Sequence, residues 1–156
     1  QIRATVMGGH GDTMVPLPKF TTVAGVPIDD LLDSEEIGDI VLKTRNGGAQ
    51  IVNLLGDGSA YYAPAKSTAV MVDAILKDTK QIHSCAVYLE GEYGYKGIVS
   101  GVPAMIGAGG AEEIIEMTLK TLQRTRFKNS VASVQEMVDI LKENGFFDDL
   151  ESVDEK

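Results

Sequence analysis

Near its start the chain carries Gly8-Gly9-His10-Gly11-Asp12-Thr13-Met14-Val15-Pro16, one histidine set among glycines directly after the strand-like run 2–7. Imidazole is the side chain whose ordinary pKa, about 6.5, lies nearest neutrality, so it can both take up and release a proton. Glycines on either side let the backbone turn sharply and let a ligand approach closely. His10 is therefore the candidate acid/base group. In locally extended chain Asp12 would point parallel to His10 rather than reach its ring, so Asp12 reads as a turn-forming or backbone-binding residue.

Other reactive residues offer less. His83 and Cys85 alternate onto one face of a predicted strand, but zinc takes three or four protein ligands and the chain has a single cysteine, so no metal site is expected. Arg3, Arg45, Arg124 and Arg126 are expected at the surface, and the basic run Arg124-Thr125-Arg126-Phe127-Lys128 is expected to solvate a helix start or loop. With 23 acidic against 14 basic residues and a net charge of -9, the chain lacks the basic surface that nucleic acid demands. No apolar run approaches the roughly 20 residues of a membrane span, so no membrane partner is expected. The lone Cys85 excludes an internal disulfide and fits a reducing compartment, with cytoplasm the expectation.

The 156 residues suit one domain of ordinary size. After the strand over 2–7, short strands flank a turn at Gly25. Asp33 and Glu36 have the spacing of a capping box and predict one long helix, kinked or weakened at Gly47-Gly48 and stopped by Gly56-Asp57-Gly58. A second helix is predicted from about Pro64 to Leu76, then a hairpin of strands over 82–90 and 98–106, and a short strand over 112–116. Ser130 is the expected N-cap of a last helix that Gly145 ends, and the acidic tail after Leu150 is expected to fray. Met71, Met105, Met117 and Met137 are expected in the core, and Tyr61, Tyr62, Tyr93 and Tyr95 at packing or interface positions. The pattern is α+β: a mostly antiparallel twisted sheet packed against long helices.

In order along the chain, the segment 8–16, Gly58-Ser59-Ala60-Tyr61-Tyr62-Ala63-Pro64-Ala65, Tyr93-Gly94, Gly101-Val102-Pro103 and Gly107-Ala108-Gly109-Gly110 resemble the C-terminal half of the malate dehydrogenases. The resemblance runs from Ile2 to about Gly145. Lactate dehydrogenases usually carry Glu and Ser at the positions of Gly9 and Thr13, so Gly9 and Thr13-Met14 favour malate. Ser59-Ala60-Tyr61-Tyr62 resembles the lactate-dehydrogenase-like subgroup. One departure is Thr118-Leu119-Lys120-Thr121-Leu122-Gln123-Arg124, where relatives begin a helix with acids that favour its N-terminus.

The resemblance implies NAD-dependent interconversion of malate and oxaloacetate, with His10 as proton acceptor and donor and with Ser59 and Gly9 near the substrate. It implies that residues 1–156 form a C-terminal substrate-binding and catalytic domain, and that the N-terminal NAD-binding Rossmann domain is absent from this chain. The carboxylate partner of the histidine and the arginines that clamp the substrate lie upstream in the family. No Gly-x-Gly-x-x-Gly follows a first strand here, so no cofactor-binding residue is assigned and the chain alone is not expected to turn over. The abrupt start at Gln1 fits a piece of a longer polypeptide. Expected partners are the NAD-binding domain of the same enzyme and further subunits, as a homodimer or homotetramer. The alternatives are a lactate or other 2-hydroxyacid dehydrogenase, and a non-catalytic assembly fragment.

Overall fold

The computed structural model describes residues 1–147, so the expected frayed tail after Leu150 lies outside the described residues. Strands β1 (Ile2–Arg3), β2 (Val6–Gly8), β3 (Met14–Pro16), β4 (Thr22–Val23) and β5 (Val26–Pro27) precede helices α1 (Ser34–Leu55) and α2 (Tyr62–Leu76). Strands β6 (Gln81–Glu90), β7 (Lys96–Gly107) and β8 (Gly110–Ile114) precede α3 (Thr121–Glu143). Every strand pair is antiparallel: β1, β4 and β5 form a small sheet, and β3-β2-β7-β6 form a larger one in which β8 also pairs with β7.

The run over 2–7, expected as one strand, divides in two. Its first half, β1, pairs with β4, while β2 pairs with β3 and β7, and the Leu17 N–H donating to the Thr5 carbonyl at 2.9 Å extends the β2–β3 ladder in the same register. Strand β2 thereby ends in the middle of the larger sheet, and His10 follows it.

On β7, Ile98, Ser100, Val102, Ala104 and Ile106 are buried on one face, the period of two that pleating imposes. Ile98 and Val102 join Met7, Val15, Leu17, Leu89, Leu119, Phe127 and Val131 in the main core. Tyr93 and Tyr95 pack on Phe127 with ring centroids 5.3 and 5.8 Å away. A smaller cluster sets Ala74 of α2 on Ala104 and Ile106. The core methionine is Met7; Met71, Met105 and Met117 are only partly buried and Met137 is 58% exposed, because the outer face of α3 has no packing partner among the described residues.

The capping box forms: Asp33 Oδ1 accepts from the Glu35 and Glu36 amides at 2.9 Å, and Glu36 Oε2 accepts from Asp33 N–H at 3.0 Å. The single long helix expected across Gly47-Gly48 forms, and α1 runs continuously from Ser34 to Leu55. Glycine weakens a helix by removing side-chain restraint, yet it clashes with nothing in the helical ladder. Helix α2 begins two residues before Pro64, which stays within the first turn, where an amide hydrogen has no partner to lose.

Helix α3 starts at Thr121, nine residues before the serine expected to cap it. Gln123 Oε1 accepts from Lys120 N–H at 2.9 Å and closes the N-terminus without the acids that relatives place there. Ser130 sits mid-helix, 2% exposed, between Phe127 and Val131 on the face that meets the sheet.

Candidate active site

Strand β2 delivers a braced loop. Gly8 has φ +78°, and a Cβ there would overlap the Ser130 hydroxyl, so only glycine fits. The Gly9 amide donates to Ser130 Oγ at 2.7 Å, and a Cβ on Gly9 would overlap Thr13 Oγ1. Across the sheet Gly8 pairs with Gly101, whose own Cβ would run into the Gly8 carbonyl. His10 follows in extended conformation, φ -106° and ψ 145°, with its side chain exposed.

The chain then makes one 3-10 turn, Gly11–Thr13. Thr13 Oγ1 donates to the His10 carbonyl at 3.5 Å, and the Arg45 guanidinium of α1 donates to the Asp12 carbonyl. Arg45, expected at the surface, is thus half-buried and engaged, and Asp12 takes part through its backbone. One turn further along α1, a Cβ on Gly48 would lie 4.0 Å from His10 Nε2, in ordinary van der Waals contact with the imidazole. Two helices hold this loop, α3 through Ser130 and α1 through Arg45.

The imidazole faces a groove of about 420 Å³ whose lining includes Met14, Ser84, Cys85, Ser100, Gly101 and Val134. No carboxylate and no arginine lines it. Burial pushes the Cys85 thiol above its ordinary pKa, which keeps it protonated and a poor nucleophile. Ser100 Oγ is buried without a hydrogen-bond partner. Ser59 is exposed on the connection between α1 and α2 and is not part of this groove.

The remaining candidates lie outside this groove. His83 Nε2 is buried without a partner, and among the described residues no group of three or more His, Cys, Asp or Glu is placed to hold a metal ion. Gly107-Ala108-Gly109-Gly110 joins two strands rather than opening a helix. Its amides are already taken: Ala108 N–H donates to Asp78 Oδ1 at 2.9 Å and Gly109 N–H to Glu112 Oε1 at 3.1 Å. Two carboxylates at that turn would repel a pyrophosphate, so the residues present do not fit a dinucleotide.

Residues 1–144 match the family model described as lactate/malate dehydrogenase, alpha/beta C-terminal domain. The chain belongs to this family. Malate dehydrogenase of Sulfurimonas denitrificans is 63% identical over 148 residues, which are 95% of this chain and 46% of that protein. The malate dehydrogenase structure from Salinibacter ruber superposes with a TM-score of 0.85 at 46% identity, covering 92% of this chain and 48% of that one. Lactate dehydrogenase of Eimeria maxima, solved with NADH and oxamate, gives 0.88 at 38% identity, covering 92% of this chain and 46% of its own. The chain spans about half the length of the curated relatives it matches.

Within this lactate/malate dehydrogenase domain, three residues at the site escaped sequence reasoning. Ser130 has the residue type of an N-cap, although its spacing with Phe127, Val131 and Val134 puts it on the buried face of one continuous helix. Arg45 and Gly48 stand three apart on α1 and so share a face, which was a usable signal. What the spacing withheld was that this face meets the histidine loop.

Proposed function

We propose that this chain is the substrate-binding half of an NAD-dependent malate dehydrogenase, in which His10 moves the proton as malate and oxaloacetate interconvert. The observation that carries the reading is the single exposed imidazole on a loop braced from two helices, within a domain of this family. Oxidising a secondary alcohol to a ketone removes a hydride from carbon and a proton from oxygen. His10 takes that proton from the C2 hydroxyl onto a ring nitrogen. In the reverse direction the imidazolium donates to the ketone oxygen, and its charge stabilises negative charge developing there. Gly48 places no side chain on the α1 side of Nε2, which supports access of the substrate oxygen from there.

NAD supplies hydride acceptance in this family, and the residues that hold it belong to parts of the intact protein other than this chain. The same holds for the carboxylate that orients the imidazole and the cations that clamp the substrate, since the groove contains neither. Gly9 serves the substrate side by keeping the loop close-packed, and Ser59 lies exposed on the connection between α1 and α2. Ile40, Leu42, Ile51 and Leu54 stand exposed along α1, which supports burial against the rest of the enzyme and further subunits, as a homodimer or homotetramer. A cytoplasmic setting fits the single free thiol.

The test is His10→Ala in the full-length enzyme, assayed for NADH-dependent reduction of oxaloacetate. The expected loss in kcat is about 10²- to 10⁴-fold, the range for a positioned acid/base group. Normal turnover would overturn the assignment. Parallel assays with pyruvate decide between malate and lactate chemistry, and faster turnover of pyruvate would replace the malate reading with the lactate one.

A further inference from the structure

We propose that the cleft between α1, α3 and the segment after His10 is a binding site for a compact oxyanion of the phosphate or sulfate class, separate from the groove that the imidazole faces. The cleft measures about 170 Å³ and takes Arg45 from α1 and Arg126, Asn129, Ser130 and Ser133 from α3. The four α3 residues recur at intervals of three and four, so one helix face presents them together.

Its arginines outnumber its carboxylates two to one. The chain carries 23 acids against 14 bases, yet the three ion pairs among the described residues all use lysines. Asp12 is the one acidic residue in the cleft lining, and it meets Arg45 through its carbonyl rather than as an ion pair within 4.0 Å. Two guanidiniums sharing a concavity repel each other, and an anion between them turns that repulsion into attraction. Arg45 spends one donor on Asp12, leaving further N–H groups of its planar fork.

Neutral donors complete the set. Ser130 is 2% exposed and its oxygen already accepts from Gly9 N–H, so its own hydroxyl hydrogen is left to donate. Ser133 Oγ donates to the Asn129 carbonyl at 3.1 Å and so leaves the anion to the other groups. Arginines from two helices plus a hydroxyl suit an ion with more than two acceptor oxygens, and the small volume admits an inorganic anion but no nucleotide. A bound anion ties α1 to α3 across the turn at Gly11–Thr13, directly behind the His10 loop.

The experiment is calorimetric titration of inorganic phosphate into the full-length protein at constant ionic strength set with chloride, without substrate or cofactor. The expected result is saturable binding that weakens by about tenfold or more in Arg126→Gln, the loss of one charge-assisted hydrogen bond. Arg126 is exposed, so the variant keeps its fold, and Arg126→Lys retains charge without the fork and binds between the two. Binding in His10→Ala is expected to match the parent, which separates this site from the proposed active site. Absence of saturable binding, equal affinity in Arg126→Gln, or a loss confined to His10→Ala would each overturn the proposal.

Discussion

The amide of Gly9 donates to Ser130 Oγ at 2.7 Å, joining residues 121 apart in the chain and fastening the middle of α3 to the residue before His10. A serine inside a helix ordinarily bonds back to its own preceding turn. Here its oxygen serves the loop instead. Ser130→Ala leaves the Gly9 amide without an acceptor in a nearly closed setting, a cost of about 1–3 kcal/mol. Urea denaturation is expected to show that loss, and kcat for oxaloacetate reduction is expected to fall with it because the imidazole loses its anchor. Wild-type stability in the variant would mean that the bond does not brace the loop.

Gly47 and Gly48 separate helix stability from access to the histidine. Each weakens α1 by about 1 kcal/mol relative to alanine. Nothing lies within 4 Å of a Cβ at Gly47, whereas one at Gly48 meets His10 Nε2 at 4.0 Å. Gly47→Ala is therefore expected to raise the melting temperature with unchanged kinetics. Gly48→Ala is expected to raise it similarly while increasing KM for oxaloacetate, and Gly48→Leu is expected to abolish turnover in a folded protein. Equal kinetics for the two alanine variants would show that the space beside Nε2 is not where substrate sits.

Local signals were legible and long-range ones were not. Asp33 and Glu36 announced the start of α1 because a capping box lies within four residues of chain. The hairpin of β6 and β7 followed from β-branched residues around a glycine-rich turn. The division of the first strand was hidden, since it depends on which partners the two halves find: β1 takes β4, and β2 takes β7 and, from the far side of the His10 loop, β3. Ser130 misled for a related reason: its type suits a helix end, and only its partner Gly9 explains a buried hydroxyl inside the helix. His10 could be recognised from neighbouring glycines, but the groups beside it come from α1 and α3, which no spacing in the segment encodes.

Gly101 is fixed by a backbone rather than by a side chain. Its partner across the sheet is Gly8, and a Cβ on Gly101 would occupy the place of the Gly8 carbonyl. Neither strand can yield freely, because Val102 is fully buried and Met7 is 1% exposed. Gly101→Ala is expected to destabilise by about 1–3 kcal/mol, the cost of overpacking, and to speed hydrogen exchange at Gly8 and Gly9. Unchanged exchange at those amides would show that β2 and β7 are not tightly joined there.

Tyr93 predicts how stability responds to alkali. Its phenol donates to the Ile115 carbonyl at 2.6 Å and accepts from the Met117 amide at 3.0 Å, holding the start of the connection to α3. Burial pushes the phenol above its ordinary pKa of 10.0, the Glu116 carboxylate adds to the rise, and the Met117 amide opposes it. A raised pKa means that the folded state keeps its proton more firmly than the unfolded chain. The stabilisation is therefore complete below the ordinary phenol pKa and is lost as pH climbs through the folded value. Tyr93→Phe removes both hydrogen bonds and is expected to cost about 1 kcal/mol or more near neutral pH. That gap should narrow on the alkaline side of pH 10.0, where the parent protein is losing the same contribution. Urea midpoints of parent and variant, measured across that range, check the sign: curves that stay parallel would show that the phenol does not couple to folding.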